Sequence, residues 1–169
     1  MTLPTKSVAP ILVFGWGNPS RGDDALGPLF IERLSAALDD EQASSVEFLT
    51  DFQLQVEHAL DLVGRSRVLF VDASMRGAAP FQVSTLQPAC DPSFTTHAMS
   101  PEAVMHVFHQ LKGRTPPPCT LLAIRGDCFE LGEPPSEAAL SNLTQAIAWS
   151  QRWLIADQPM TVLHELHHA

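Results

Sequence analysis

Apolar and polar positions along this chain switch repeatedly between a period of two and a helical period. Ile11-Leu12-Val13-Phe14 is a short run of β-formers, which predicts a first strand. Gly15-Trp16-Gly17-Asn18 follows it, and after Asp23 and Asp24 the residues Leu26, Phe30, Ile31 and Leu34 form one apolar stripe of a helix ending near Leu38 to Asp40. Val46-Glu47-Phe48-Leu49 predicts a second strand with Asp51 just beyond it. Gln53 to Val63 carries Leu and Val at helical spacing and stops at Gly64. Arg67 to Ala73 is almost wholly apolar up to Asp72, as in a strand covered on both faces. Phe81 to Leu86 alternates like an edge strand, antiparallel to its neighbour, and follows a turn at Gly77–Pro80. A loop from Pro88 to Thr96 leads to His97. Ser100-Pro101-Glu102 then opens a helix that runs to about Lys112 before Gly113. Pro116-Pro117-Pro118 connects to a fifth strand, Cys119 to Ile124, and a last helix is predicted from near Ser136 to Leu154.

Strands alternating with helices predict the α/β class, as a three-layer α/β/α sandwich on a mostly parallel five-stranded sheet with one antiparallel strand. At 169 residues, 45% of them hydrophobic, the chain suits one domain over 1–169, with 1–9 and 158–169 as flexible ends. The formal charge of −9 and pI near 5.0 argue against nucleic acid and anionic membrane as partners, since both require a basic face. No stretch approaches the roughly 18 apolar residues of a membrane span, and MTLPTKSVAP lacks the features of a signal peptide. A cytoplasmic location is expected. Cys90, Cys119 and Cys128 show no C-x-x-C spacing, so they predict neither a disulfide framework nor a thiolate metal site.

Strand, Gly-rich turn and helix also describe a phosphate cradle. Asp23 and Asp24 oppose that reading, because their carboxylates occupy the helix end where a pyrophosphate would sit. Asp23 is expected to serve as an N-cap, leaving Asp24 free for a cation or a proton. In open α/β sheets ligands bind at the carboxyl ends of strands, and Asp24, Asp51 and Asp72 all follow predicted strand ends, with His97 on a loop that can reach them. Such a rim has the donors of a divalent-cation site. Each residue also has a plain structural role open to it: Asp51 as a helix cap, Asp72 as the end of a strand, His97 as a loop histidine.

Gly15-x-Gly17-Asn18-x₄-Asp23-Asp24-x₂-Gly27, the Val71-Asp72-Ala73 strand end and Thr96-His97 before a helix together resemble the [NiFe]-hydrogenase maturation endopeptidases. The resemblance spans roughly Ile11 to Ile155. Phe52-Gln53-Leu54-Gln55-Val56-Glu57-His58 together with Asn18-Pro19-Ser20-Arg21-Gly22-Asp23-Asp24 is most similar to the branch that processes the large subunit of soluble, NAD-reducing bidirectional hydrogenases. The resemblance implies a protease that removes the C-terminal extension of a nickel-loaded large-subunit precursor. Asp24, Asp72 and His97 would be its nickel-contacting and catalytic residues, and Gly17, Asn18, Asp51 and Gln53 would contact the substrate. The nickel would come with the substrate, and no tightly bound cofactor is expected. Many relatives carry Glu where this chain has Asp24, so here the carboxylate is one methylene shorter.

Two other functions remain open: a nickel-binding assembly chaperone that cuts nothing, and a small nucleotide-binding protein. His164-Glu165-Leu166-His167-His168 satisfies the zinc-protease pattern H-E-x-x-H, but only Ala169 follows it, and it is read as a decoy in a frayed tail. No G-x-S-x-G elbow is present to support a serine hydrolase.

Overall fold

The computed structural model describes residues 7–90 and 98–156. They form one five-stranded sheet of β1 (Ile11–Trp16), β2 (Val46–Asp51), β3 (Arg67–Ser74), β4 (Phe81–Thr85) and β5 (Cys119–Arg125), in the order β2-β1-β3-β5-β4. The β2–β1, β1–β3 and β3–β5 pairs are parallel, and β4 runs antiparallel along β5. The connections carry α1 (Leu26–Ala37), α2 (Asp40–Ala43), α3 (Pro101–Lys112) and α4 (Glu137–Ile155), with 3-10 turns at Gly22–Ala25 and Val56–Leu62. This is the predicted α/β sandwich on a mostly parallel sheet.

Strand parity builds the layers. Successive side chains of a strand point to opposite faces, so an apolar run feeds two cores at once. Ile11, Val13, Leu69, Val71, Leu122 and Ile124 pack on one face with Phe30, Ile31 and Leu34 of α1 and Leu143, Trp149 and Trp153 of α4. Leu12, Phe14, Trp16, Val68 and Phe70 pack on the other with Leu54, Ala59 and Leu62 and with Val104, Met105 and Phe108 of α3. By the same parity Asp72 belongs to the second face.

Helix ends follow local chemistry. The Ser100 hydroxyl accepts the Ala103 N–H at 3.1 Å, and Gly113 closes α3 at a left-handed φ of 65°. Ser136 caps α4 through the Ala139 N–H at 3.2 Å. The Gln53–Val63 segment departs from expectation. Leu54 is buried and its carbonyl accepts the Met99 N–H, which holds the chain extended until a 3-10 turn begins at Val56. β1 and β2 run two residues further than their apolar runs, and β3 continues to Ser74, so Asp72 lies inside a strand rather than after it. Among the described residues no helix is long and apolar enough to cross a membrane.

Gly27 lets α1 meet the sheet. A Cβ on it would run into the main chain of Trp16, so helix and strand touch backbone to backbone. Gly27→Ala is therefore expected to force α1 outward and cost about 1–3 kcal/mol, read as a lower urea midpoint at unchanged m-value.

Candidate functional site

The site grows from the turn after β1. The Gly17 N–H donates to the Asp51 carbonyl at 3.0 Å, extending the β1–β2 ladder by one bond. Gly17 has φ 148°, and a Cβ there would collide with the Asp24 carbonyl oxygen, so glycine is required on both counts. The chain then turns back. Asn18 N–H donates to Asp24 Oδ2 at 2.8 Å, and Asn18 Oδ1 accepts the Ser20 N–H at 2.9 Å. Half-buried Asp24 is thereby folded over the turn with one carboxylate oxygen engaged.

Asp23 does not do what its position predicts. It caps no helix of its own, for α1 begins without a side-chain cap. Its fully buried carboxylate instead accepts Asp127 N–H at 2.7 Å and Cys128 N–H at 3.0 Å on Oδ2, and Ser136 N–H at 2.7 Å on Oδ1. The Ser136 hydroxyl donates to Oδ2 at 2.9 Å. Burial pushes its pKa upward, but the N–H groups of Ser136, Asp127 and Cys128 and the Ser136 hydroxyl outweigh burial, and the carboxyl sits below its ordinary 3.8. Neighbours in sequence, Asp23 and Asp24 have different duties: Asp23 fastens the turn to the loop before α4, and Asp24 closes the turn itself through Asn18.

Asp72 lies on β3, the other neighbour of β1. The strand order reverses between β1 and β3, where ligands of open α/β sheets bind. Gly15 pairs with Val71, the last pair between β1 and β3, and Asp72 is the next β3 residue. Burial pushes the Asp72 carboxyl up to about 7; the Ala73 N–H works against this, and the negative charge of Asp24 adds to it. The two carboxylates thus share one electrostatic neighbourhood.

Asp51, the third acid, is engaged differently. It does not cap the following helical turn, whose N-cap is Gln55. Its Oδ1 accepts the Phe52 N–H at 2.7 Å, and His58 Nε2 lies 3.2 Å from Oδ2. Asp51 also lines a cleft of about 260 Å³ with Gly17, Pro19, Pro28, Thr50 and Phe52. Half-buried Gln53 makes no hydrogen bond among the described residues. His58 is the residue that sequence reasoning passed over. Its signal was a histidine seven residues after Asp51, at the near-buried positions of an amphipathic turn.

His97 lies outside the described residues, as do the H-E-x-x-H segment 164–168 and most of the expected flexible ends. Among the described residues no three His, Cys, Asp or Glu side chains come together as a metal site. Of the acids expected at the rim, Asp24 and Asp72 lie near enough for the charge of one to raise the pKa of the other. The cysteines form no disulfide; burial pushes the Cys119 thiol up to about 12, as befits a residue that fills space.

No protein-family profile and no curated protein sequence matches the chain. Solved structures do. The [NiFe] hydrogenase maturation protease HycI from Thermococcus kodakarensis superposes with a TM-score of 0.67 at 22% identity, covering 88% of this chain and 94% of that one. The hydrogenase maturating endopeptidase HybD from E. coli gives 0.62 at 22% identity over 83% and 88%, and the Escherichia coli endopeptidase HycI gives 0.61 at 20% over 90% and 96%. These likenesses establish that the chain has the fold of those proteins.

Two stability measurements separate the acids. Asp23→Asn places an amide N–H₂ against converging donors and is expected to cost roughly 2–4 kcal/mol, while Asp24→Asn, which keeps an acceptor for Asn18, should stay within about 1 kcal/mol of the parent. Asp72 acts in the opposite sense to Asp23. Its folded pKa lies above its ordinary one, so the folded state binds the extra proton and stability falls as pH rises from 3.8 to about 7. Asp72→Asn removes that penalty. Chemical denaturation should show the variant more stable than the parent above pH 7, by on the order of 1–3 kcal/mol after allowance for solvent screening, with the gain vanishing near pH 4.

Proposed function

We propose that this chain is an endopeptidase that removes the C-terminal extension of a nickel-loaded [NiFe]-hydrogenase large-subunit precursor. The observation that supports the proposal is Asp72, an acid whose pKa burial and, to a smaller extent, the charge of Asp24 raise to about 7, beside the switch point of a fold shared with hydrogenase maturation proteases. A cation at this position would relieve the burial penalty on Asp72 and its smaller repulsion by Asp24, and carboxylate oxygen is an acceptable donor for Ni²⁺. His97 would add an imidazole nitrogen. In this reading the nickel belongs to the substrate, so recognition depends on whether the precursor has been loaded. The branch serving soluble NAD-reducing hydrogenases is part of the same proposal and is supported by the Phe52–His58 stretch.

Asp24, Asp72 and His97 would grip the nickel and hold the adjacent peptide bond in register with the Gly17–Asn18 turn. Water adds to the scissile carbonyl carbon, the C–N bond breaks, and the nitrogen leaves with a proton taken from that water. Asp51 and Gln53 would contact the polypeptide beside the turn.

The test is the intact mass of a large-subunit precursor after incubation with this protein, with and without prior nickel loading. Loss of one C-terminal peptide from the nickel-loaded form alone is expected. Cleavage regardless of nickel would remove the metal-sensing role, and a stable complex without cleavage would make the protein an assembly chaperone. Alanine at Asp24, Asp72 or His97 is expected to slow processing by about 100-fold or more while the protein stays folded; full activity in all three variants would overturn the assignment.

A further inference from the structure

Asp51 is held by a histidine whose tautomer the geometry defines. The Gln55 N–H points at His58 Nδ1 across 2.8 Å, so Nδ1 is the acceptor and carries no proton. The ring proton of the neutral imidazole is then on Nε2, 3.2 Å from Asp51 Oδ2, and that N–H donates to the carboxylate. The ring is fixed as well: it meets Phe14 edge to face with centroids 4.6 Å apart, and its side chain is only 11% exposed. With Phe52 N–H on Oδ1, both oxygens of Asp51 are tied and the carboxylate cannot rotate. It remains 34% exposed, on the cleft that Gly17, Pro19, Pro28, Thr50 and Phe52 line.

The same cleft is coupled to the acid pair. Asp51 O accepts Gly17 N–H at 3.0 Å, and the next residue, Asn18, donates to Asp24 at 2.8 Å. A polypeptide lying in the cleft against Asp51 would be registered to Asp24 through two consecutive main-chain groups. Phe52, 64% exposed, and the two prolines give that chain an apolar wall.

We propose that His58 is a positioning residue: it orients the Asp51 carboxylate as a fixed acceptor for a hydrogen-bond donor of the substrate polypeptide in the cleft beside the Gly17 turn. The proposal rests on the endopeptidase reading for the identity of that polypeptide. A purely structural His58 would need its ring against Phe14 but not its Nε2 proton.

The experiment compares His58→Phe, which keeps an aromatic ring but offers no donor, with His58→Gln, whose amide nitrogen can replace Nε2–H. Steady-state cleavage of the nickel-loaded precursor is expected to show KM raised roughly tenfold in His58→Phe with kcat within about threefold, and KM restored to within about threefold in His58→Gln. Asp51→Asn should raise KM similarly, and adding His58→Phe to it should change little, because His58 acts through Asp51. Unchanged KM in a folded His58→Phe, or effects that multiply in the double variant, would overturn the proposal. Nitrogen NMR of the parent protein decides it even if a variant fails to fold: a ring protonated on Nε2 is expected, and one protonated on Nδ1 alone contradicts the role. If the parent binds the precursor without cutting it, the endopeptidase reading falls while the same comparisons, made on Kd, still judge His58. A parent that neither binds nor cuts removes both.

Discussion

The carboxylate of Asp23 is the constraint on which the rest of the site depends. A buried charge is costly unless its lone pairs are filled, and here the segment before α4 fills them with three main-chain N–H groups and a hydroxyl. Those donors come from residues 104 to 113 positions away, so satisfying one side chain brings the turn after β1 onto the segment between β5 and α4. Main-chain bonds follow the same seam: Gly22 N–H to Glu133 O, Asp23 N–H to Cys128 O, and Gly132 N–H to Ser20 O. Ser136 also caps α4, which makes the start of that helix part of the same joint. With the turn pinned from behind, its front is free to present Asp24.

Glycines complete the mechanical frame. Gly17 and Gly27 leave out side chains where the Asp24 carbonyl and the Trp16 main chain must come close, and without that approach α1 could not begin beside the end of β1. The strands then set the spacing. β1 and β3 part company after Gly15 and Val71, and the opening exposes Asp72 to Asp24. The sheet thus places a poorly solvated acid beside another acid, an arrangement that works against the folded state at neutral pH and favours whatever positive charge enters the crevice.

The order of the strands and main helices, the two-sided strands and the caps of α3 were legible in local sequence, because parity and capping act over a few residues. The apolar residues Leu69 and Val71 alternating with Val68 and Phe70 already said that β3 is covered on both faces. Ser100 and Gly113 bounded α3 as expected. Asp24 and Asp72 were also visible as candidates, since acids after apolar runs fall at the rim of a parallel sheet. What neighbouring residues could not reveal was which of two adjacent aspartates is buried, for that depends on donors more than a hundred residues downstream. Nor could they show that Asp51 is held by His58, or that Leu54 is drawn into the core and delays the turn that follows it.

The sequence by itself determined the architecture and the kinds of side chain available at the rim, because periodicity and turn chemistry are short-range properties of the chain. Only the tertiary structure decided what each acid does. A carboxylate becomes a structural tie, an oriented acceptor or a group with a raised pKa according to the donors, charges and water around it, and those are assembled from strands and loops that meet only when the sheet is formed.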